Sequence, residues 1–261
     1  MRIATWNVNS VRARLPRVTA WLDAVRPDVL CLQETKATDA DFPRAEFETL
    51  GYRVESFGQP SYHGVAIVSR EPLTGVFRGL PDAAPDEDRR LIGGDLRGVR
   101  IVGVYVPNGT EVGSERFAAK LRWFGRLRAM LEAATKPGEP LVVCGDFNVA
   151  PEERDCHDPD AWRGRILFHP DERRALVQLM DWGLVDLFRL HEEGAGHYTW
   201  WDYRGGAFRL GQGLRIDLML ASAALARRCR SVVIDREARK GERPSDHAPV
   251  LAEFAEDPGG G

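Results

Sequence analysis

Residues 215–220 read Arg-Ile-Asp-Leu-Met-Leu, and residues 141–148 read Leu-Val-Val-Cys-Gly-Asp-Phe-Asn. Both contain short apolar runs of the kind that form buried strands, yet Asp217 opens its run whereas Asp146 follows one. The same split recurs along the chain. Asn7 follows Ile3–Trp6 and Glu34 follows Val29–Gln33, while Asp246 and His247 precede Pro249–Phe254. In α/β proteins, ligand-binding groups gather beyond the carboxyl ends of strands. Strand starts join strand ends at one edge where neighbours run antiparallel, so convergence of all these groups requires mixed or antiparallel sheets rather than a purely parallel one.

Further β-branched runs at Gly64–Ser69, Val99–Val106 and Val232–Ile234 supply more strands. Pro16–Val25, Ser114–Ala134 and Asp171–Trp182 carry helical spacing. In the second, Phe117, Leu121, Phe124, Leu127 and Leu131 share one stripe and Ser114 is placed to cap it; Gly183 ends the third. Strands and helices interleave with no Pro/Gly/Ser-rich linker, which predicts one α/β domain over residues 1–255 and a disordered tail over 256–261. A faint internal echo, Ile3–Asn9 (IATWNVN) against Val143–Ala150 (VCGDFNVA), hints at two similar halves.

With 43% hydrophobic and 29% charged residues among 261, the chain can bury one large core. Its formal charge of −3 argues against a generally basic nucleic-acid coat protein, so a polyanion would have to meet a local patch. Arginines cluster at Arg12/Arg14/Arg17, Arg89/Arg90, Arg122/Arg126/Arg128, Arg173/Arg174 and Arg227/Arg228/Arg230, and most such clusters are solvated faces. No run approaches the roughly 18 apolar residues of a membrane span, and the start lacks the apolar core of a secretory signal. The expected location is cytoplasmic, with no membrane partner. Cys31, Cys144, Cys156 and Cys229 form no C-x-x-C pair and are expected to be reduced thiols.

The polar strand ends suit hydrolysis at a phosphate. Glu34 and Asp246 are hard oxygen ligands and Asn7 a neutral one, a set fitted to magnesium or manganese rather than zinc. Asp146 and Asn148 are two apart, so in extended backbone their side chains share a side: one to take a proton from water, the other to hold water or phosphate. His247 could face a phosphate oxygen as a cation, with Asp217 fixing its tautomer. No suitably framed Ser or Cys accompanies this pair, which disfavours a nucleophilic triad. Each motif alone is more often an Asx-turn or a cap, and the Trp200-Trp201 pair reads equally as core packing. Their number at the ends of apolar strands is what points to a site.

From end to end the sequence resembles the exonuclease III family of apurinic/apyrimidinic (AP) endonucleases. The resemblance is carried by WNVNSVRAR (6–14), PDVLCLQETK (27–36), YHGVAI (62–67), YVPNG (105–109), GDFNVAP (145–151), WGLVDLFR (182–189), TWWDYR (199–204), GLRIDLMLAS (213–222) and PSDHAPV (244–250). It implies a four-layer, DNase I-like α/β sandwich, two mixed sheets packed face to face with helices outside. It also implies Mg2+ dependence, with Mn2+ as a substitute and one or two ions. The implied ligands are Asn7, Glu34 and Asp246, with Asp146, Asn148 and His247 at a possible second position. By the same likeness Asp146 activates water, Asn148 and His247 hold the phosphate, Asp217 orients His247, and Tyr105 supports the phosphate or leaving group. Trp200, Leu214 and Ile216 match an apolar pocket, with Trp201, Tyr203 and Arg204 beside it, and Asn9, Tyr62, Arg90 and Asn108 match DNA-backbone contacts. The implied activity is backbone cleavage 5′ to abasic sites, leaving a 3′-hydroxyl, with 3′→5′ exonuclease and 3′-phosphatase activity. The partner is double-stranded DNA with an abasic site or a 3′ end, acted on by a monomer. Two alternatives stand beside it: another phosphoesterase on the same fold, and a DNA-binding module without catalysis.

Overall fold

In the computed structural model, which describes residues 1–256, alternate residues of the first strand, β1 (Arg2–Asn7), enter two different apolar layers. Ile3 packs with Cys31, Ile67, Cys144 and Met219, whereas Ala4 and Trp6 pack with Val18, Leu22 and Phe47. A strand buried on both faces needs apolar side chains at every position, which is why the central runs are continuous rather than alternating.

One sheet has the order β11 (Cys229–Ile234), β12 (Val250–Phe254), β1, β2 (Val29–Gln33), β4 (Val65–Ser69), β3 (Arg53–Phe57). The other runs β5 (Thr74–Arg78), β6 (Leu91–Leu96), β7 (Val99–Tyr105), β8 (Leu141–Asp146), β10 (Asp217–Ser222), β9 (Leu184–Asp186). Each sheet is antiparallel except for its central pair, β1 with β2 and β7 with β8. Matching β1 to β8, β2 to β7 and β12 to β10 superposes the two strand orders, so the echo between IATWNVN and VCGDFNVA marks structurally corresponding strands.

The sheets pack face to face through one core cluster. Helices α1 (Leu15–Val25) and α2 (Arg44–Thr49) cover the outer face of the first sheet. Helices α3 (Glu115–Ala134) and α5 (Pro170–Met180) cover the second; a short α4 (Pro159–Trp162) lies in the preceding loop. Full burial of each large aliphatic side chain in these layers stabilises by about 1.5–3 kcal/mol. Ser114 caps α3 by accepting from the Phe117 amide at 3.1 Å.

The stripe on α3 differs from expectation at one position: Lys120 is fully buried and Leu121 only half so, because the lysine finds a buried carboxylate, Glu172. Four strands left no clear signal. β3 and β5 are edge strands with weak patterns and β9 has three residues. In β6 the pattern is broken by Gly93, where a Cβ would lie 2.2 Å from the Phe77 ring. Part of the tail expected to be disordered, beyond Glu256, lies outside the described residues. Among the described residues all four cysteines are free and no helix is long and apolar enough to cross a membrane.

Candidate active site

Residue parity within the strands determines which polar groups meet. On β1 the inward set is Ile3, Thr5, Asn7; on β8 it is Val142, Cys144, Asp146; on β10 it is Asp217, Met219, Ala221; and on β7 the set ends at Tyr105. Asp217 stands opposite Asp146 in the antiparallel register, and Tyr105 opposite Asp146 in the parallel one. The inward row of each central strand thus ends in a polar group at one edge of the inter-sheet core.

There the groups bond across the two sheets. The Asn7 amide donates to Glu34 Oε1 and to Asp146 Oδ2, both at 2.9 Å, and the Tyr105 hydroxyl donates to Glu34 Oε1 at 3.0 Å. Asp217 Oδ2 lies 2.8 Å from His247 Nδ1, and His247 Nε2 lies 3.8 Å from Asp146 Oδ2. Burial pushes Asp146 up to about 7, with the neighbouring Asp217 and Glu34 carboxylates adding to the rise. His247 is raised to about 10 because Asp217 and Asp146 outweigh its burial. Glu34 is lowered, its burial outweighed by Lys36, whose Nζ lies 2.8 Å from Oε2. Burial and the two carboxylates hold the Tyr105 phenol well above its ordinary range, so it is a neutral donor at physiological pH.

Several of these positions are left-handed without being glycine: Asn9 (φ +46°), Glu34 (+50°), Lys36 (+49°), His63 (+58°) and Asn148 (+51°). Such conformations persist where the surroundings over-determine them, and they gather at functional sites. Gly145 is required for a different reason: a Cβ there would lie 1.9 Å from the Val104 carbonyl oxygen, so only glycine lets β8 approach β7 ahead of Asp146.

The donor set fits a hard divalent cation. Glu34 and Asp146 offer hard carboxylate oxygens, each within 4.8 Å of the other and of His247, and a buried carboxylate raised toward neutrality is one that a cation would relieve; His247, charged and bonded to Asp217, stands beside them as a cation rather than as a ligand. Asp246 is not in this trio. It accepts from Asn9 Nδ2 at 3.0 Å and from Trp200 Nε1 at 3.1 Å. The Asn7 side-chain oxygen accepts from the Asn9 backbone amide, so Asn7 braces the carboxylates through its nitrogen.

The Asn148 Oδ1 accepts from Asn108 Nδ2 at 3.1 Å. Arg90 is nearly buried, stacked over the Tyr105 ring and paired with Asp88. Tyr62, 68% exposed, lines with Tyr105 and Asn108 a groove of about 840 Å³ whose charged lining is Arg90, Arg116, Arg122 and Arg126 with Glu87 and Asp88. Half-buried Trp200 packs with Leu214, Ile216 and Trp162, the last edge-on at 6.4 Å. Leu214 and Ile216 are themselves buried, and Arg204 is exposed. Trp201 turns inward against Phe208 and Ala248, while Tyr203 stays half-exposed and bonds Arg14 and the Pro244 carbonyl. Only Trp200 of the tryptophan pair reaches the site.

Sequence reasoning assigned no role to four contributors. Lys36 neutralises Glu34; the Ser245 hydroxyl donates to the Asn7 backbone carbonyl; Thr199 Oγ1 accepts from the amides of Ile216 and Asp217; His63 lies 3.2 Å from Asp88. All four lie within the motifs that carry the family resemblance. Nothing local marked their roles, since all but Lys36 find their partners far along the chain.

Two mixed sheets with a carboxylate-histidine cluster at one shared edge define a phosphoesterase architecture. Residues 4–247 match the Endonuclease/Exonuclease/phosphatase family, and the chain belongs to that family. It is 36% identical over 266 residues to exodeoxyribonuclease III of Haemophilus influenzae, covering 97% of this chain and 100% of the relative. Two solved structures superpose with a TM-score of 0.93, each covering 98% of this chain and 100% of its own. One, 44% identical, is an Asp→Asn variant of the 3′ phosphatase NExo from Neisseria bound to product DNA hairpin; the other, 41% identical, is an AP endonuclease from Archaeoglobus fulgidus.

Proposed function

We propose that the chain is a magnesium-dependent DNA-repair phosphodiesterase that cleaves the backbone 5′ to abasic sites, leaving a 3′-hydroxyl, and removes nucleotides or phosphate from 3′ ends of duplex DNA. The observation that carries the hydrolytic reading is the arrangement of Asp146 between Asn7 and His247 at the shared edge. The DNA relatives carry the substrate. Mn2+ would substitute for Mg2+, and the chain would act as a cytoplasmic monomer.

In this reading Asp146, bonded to Asn7 and facing His247, orients the attacking water and takes its proton. His247, kept as a cation by Asp217, stabilises charge on the phosphate oxygen, and Asn148 orients the phosphate with its second amide hydrogen. Tyr105 donates to Glu34 and stands where it can support the leaving oxygen. A divalent cation held by Glu34 and Asp146 supplies, when bound, further neutralisation of the phosphate and departing oxygen. The arginine-lined groove beyond Tyr62 would take the DNA backbone, and the Trp200 cluster the flipped abasic sugar, which has no base stacking to lose.

The likeness to NExo favours a second balance, in which 3′-end processing dominates. Product mapping on a duplex with one AP site, beside a duplex with a 3′-phosphate, separates the two. Incision of neither beyond an EDTA control would sink the assignment.

A further inference from the structure

Lys120 on α3 and Glu172 on α5 are both fully buried, with Nζ and Oε2 2.5 Å apart. A buried ion pair is a poor way to hold two helices together, because desolvation rivals the Coulombic gain and apolar residues of similar volume serve as well. The strain is visible in both partners: burial pushes the amine below its ordinary value and the carboxyl above its own. Helix packing alone does not account for the pair.

The other bonds of the ammonium group do. Lys120 Nζ donates to the backbone oxygens of Asn148 at 2.6 Å and Asn108 at 3.2 Å, so its three N–H groups serve Glu172 and these two loops. The same two residues join their carboxamides beside Asp146, and Asn148 is held at φ +51°. Gly109 shows how closely the first loop lies on the lysine stem: its φ is +89° and a Cβ there would be 3.2 Å from Lys120 Cδ.

We infer that Lys120, held by Glu172, is a positioning residue for the hydrolysis: it fixes the backbones of Asn108 and Asn148 so that their carboxamides are presented together beside Asp146. It touches no substrate. The inference rests on the proposed phosphodiester hydrolysis only for its kinetic consequence.

The test uses the full chain. K120M leaves a buried carboxylate unpaired and is expected to melt lower. K120M/E172Q removes both charges, while the introduced carboxamide can still accept from the His169 amide that Glu172 now caps, and it is expected to regain most of the parental melting temperature. In that double variant kcat on nicked or abasic duplex should remain about 10–100-fold below the parent with KM changed less than about threefold. Amide hydrogen exchange on the free protein should rise selectively at residues 107–110 and 147–150. K120R, which keeps the charge and the donors, should recover much of the kcat lost in K120M. Parental kcat in the double variant, or equal kcat in K120R and K120M, overturns the inference, as does unchanged loop exchange in the double variant, whatever the parent does to DNA. A parent without nuclease activity but with the selective exchange change refutes the hydrolytic reading alone and supports the structural placement.

Discussion

The 2.8 Å contact between Asp217 Oδ2 and His247 Nδ1 ties the first residue of β10 in one sheet to the loop that leads into β12 of the other. The pair exists only because the sheets pack with those two edges together. Asp217→Asn keeps the shape but removes the charge that holds the imidazole as a cation. It should lower kcat by about 10²–10⁴-fold with DNA binding near parental. The pH profile gives the sign: His247 is charged below about 10 in the parent, so activity should persist through mildly alkaline pH. In the variant it should fall at lower pH than in the parent, because burial of the imidazole is then opposed by fewer carboxylates. A profile unchanged between the two proteins would contradict this role.

Asp146 is raised from its ordinary value of 3.8 to about 7. The folded state therefore favours the protonated form, so the stabilisation is fully present below about 3.8 and is lost as pH rises through about 7. Asp146→Asn has no proton to lose. Without metal it should melt higher than the parent near pH 8, while cleavage drops by roughly 10³-fold or more, a trade of function for stability. Thermal melts at several pH values, paired with incision assays, check both halves.

Divalent cation should relieve the same buried carboxylates. Magnesium is expected to raise the melting temperature more at about pH 8 than at about pH 6, because protons compete for Asp146 at the lower pH. Saturation at about 100 times Kd corresponds to roughly 2.7 kcal/mol of added stability. Glu34→Gln should blunt the shift. Equal shifts in parent and variant would remove Glu34 from the metal site.

Arg116 and Arg126 line the same groove but differ in partners. Arg126 is held by Asp82 and Glu87, whereas exposed Arg116 has no ion pair among the described residues. Arg116→Ala should weaken duplex binding and reduce the slope of log K against log salt by about 1, with little effect on sequence preference. Arg126→Ala should change the slope less, since its charge is already balanced. The reverse order would place the DNA elsewhere.

His247→Ala removes the imidazole altogether. Incision should become undetectable, or at least about 10³-fold slower, with DNA affinity within a few-fold of the parent. Single-turnover incision and a filter-binding titration in calcium separate the two; retained activity would refute the assigned role.

Much of this protein was decided by local sequence. Apolar β-branched runs, the capped amphipathic α3, and polar groups placed at starts as well as ends of strands determined an α/β architecture whose sheets are not purely parallel and marked Asn7, Glu34, Asp146, Asp217 and His247, because strand periodicity and hydrophobic burial act over a few residues. Edge strands such as β5 were illegible, since a half-exposed edge imposes little pattern, and β6 was hidden by Gly93, whose reason is the ring of Phe77. Tertiary structure alone decided which groups meet. It set Asp146 rather than Asp246 with Glu34 and His247, turned Trp201 inward and Trp200 toward the site, and buried Lys120 against Glu172. Those choices follow from register and face-to-face packing of two sheets, contacts between residues up to 253 positions apart that no local pattern encodes.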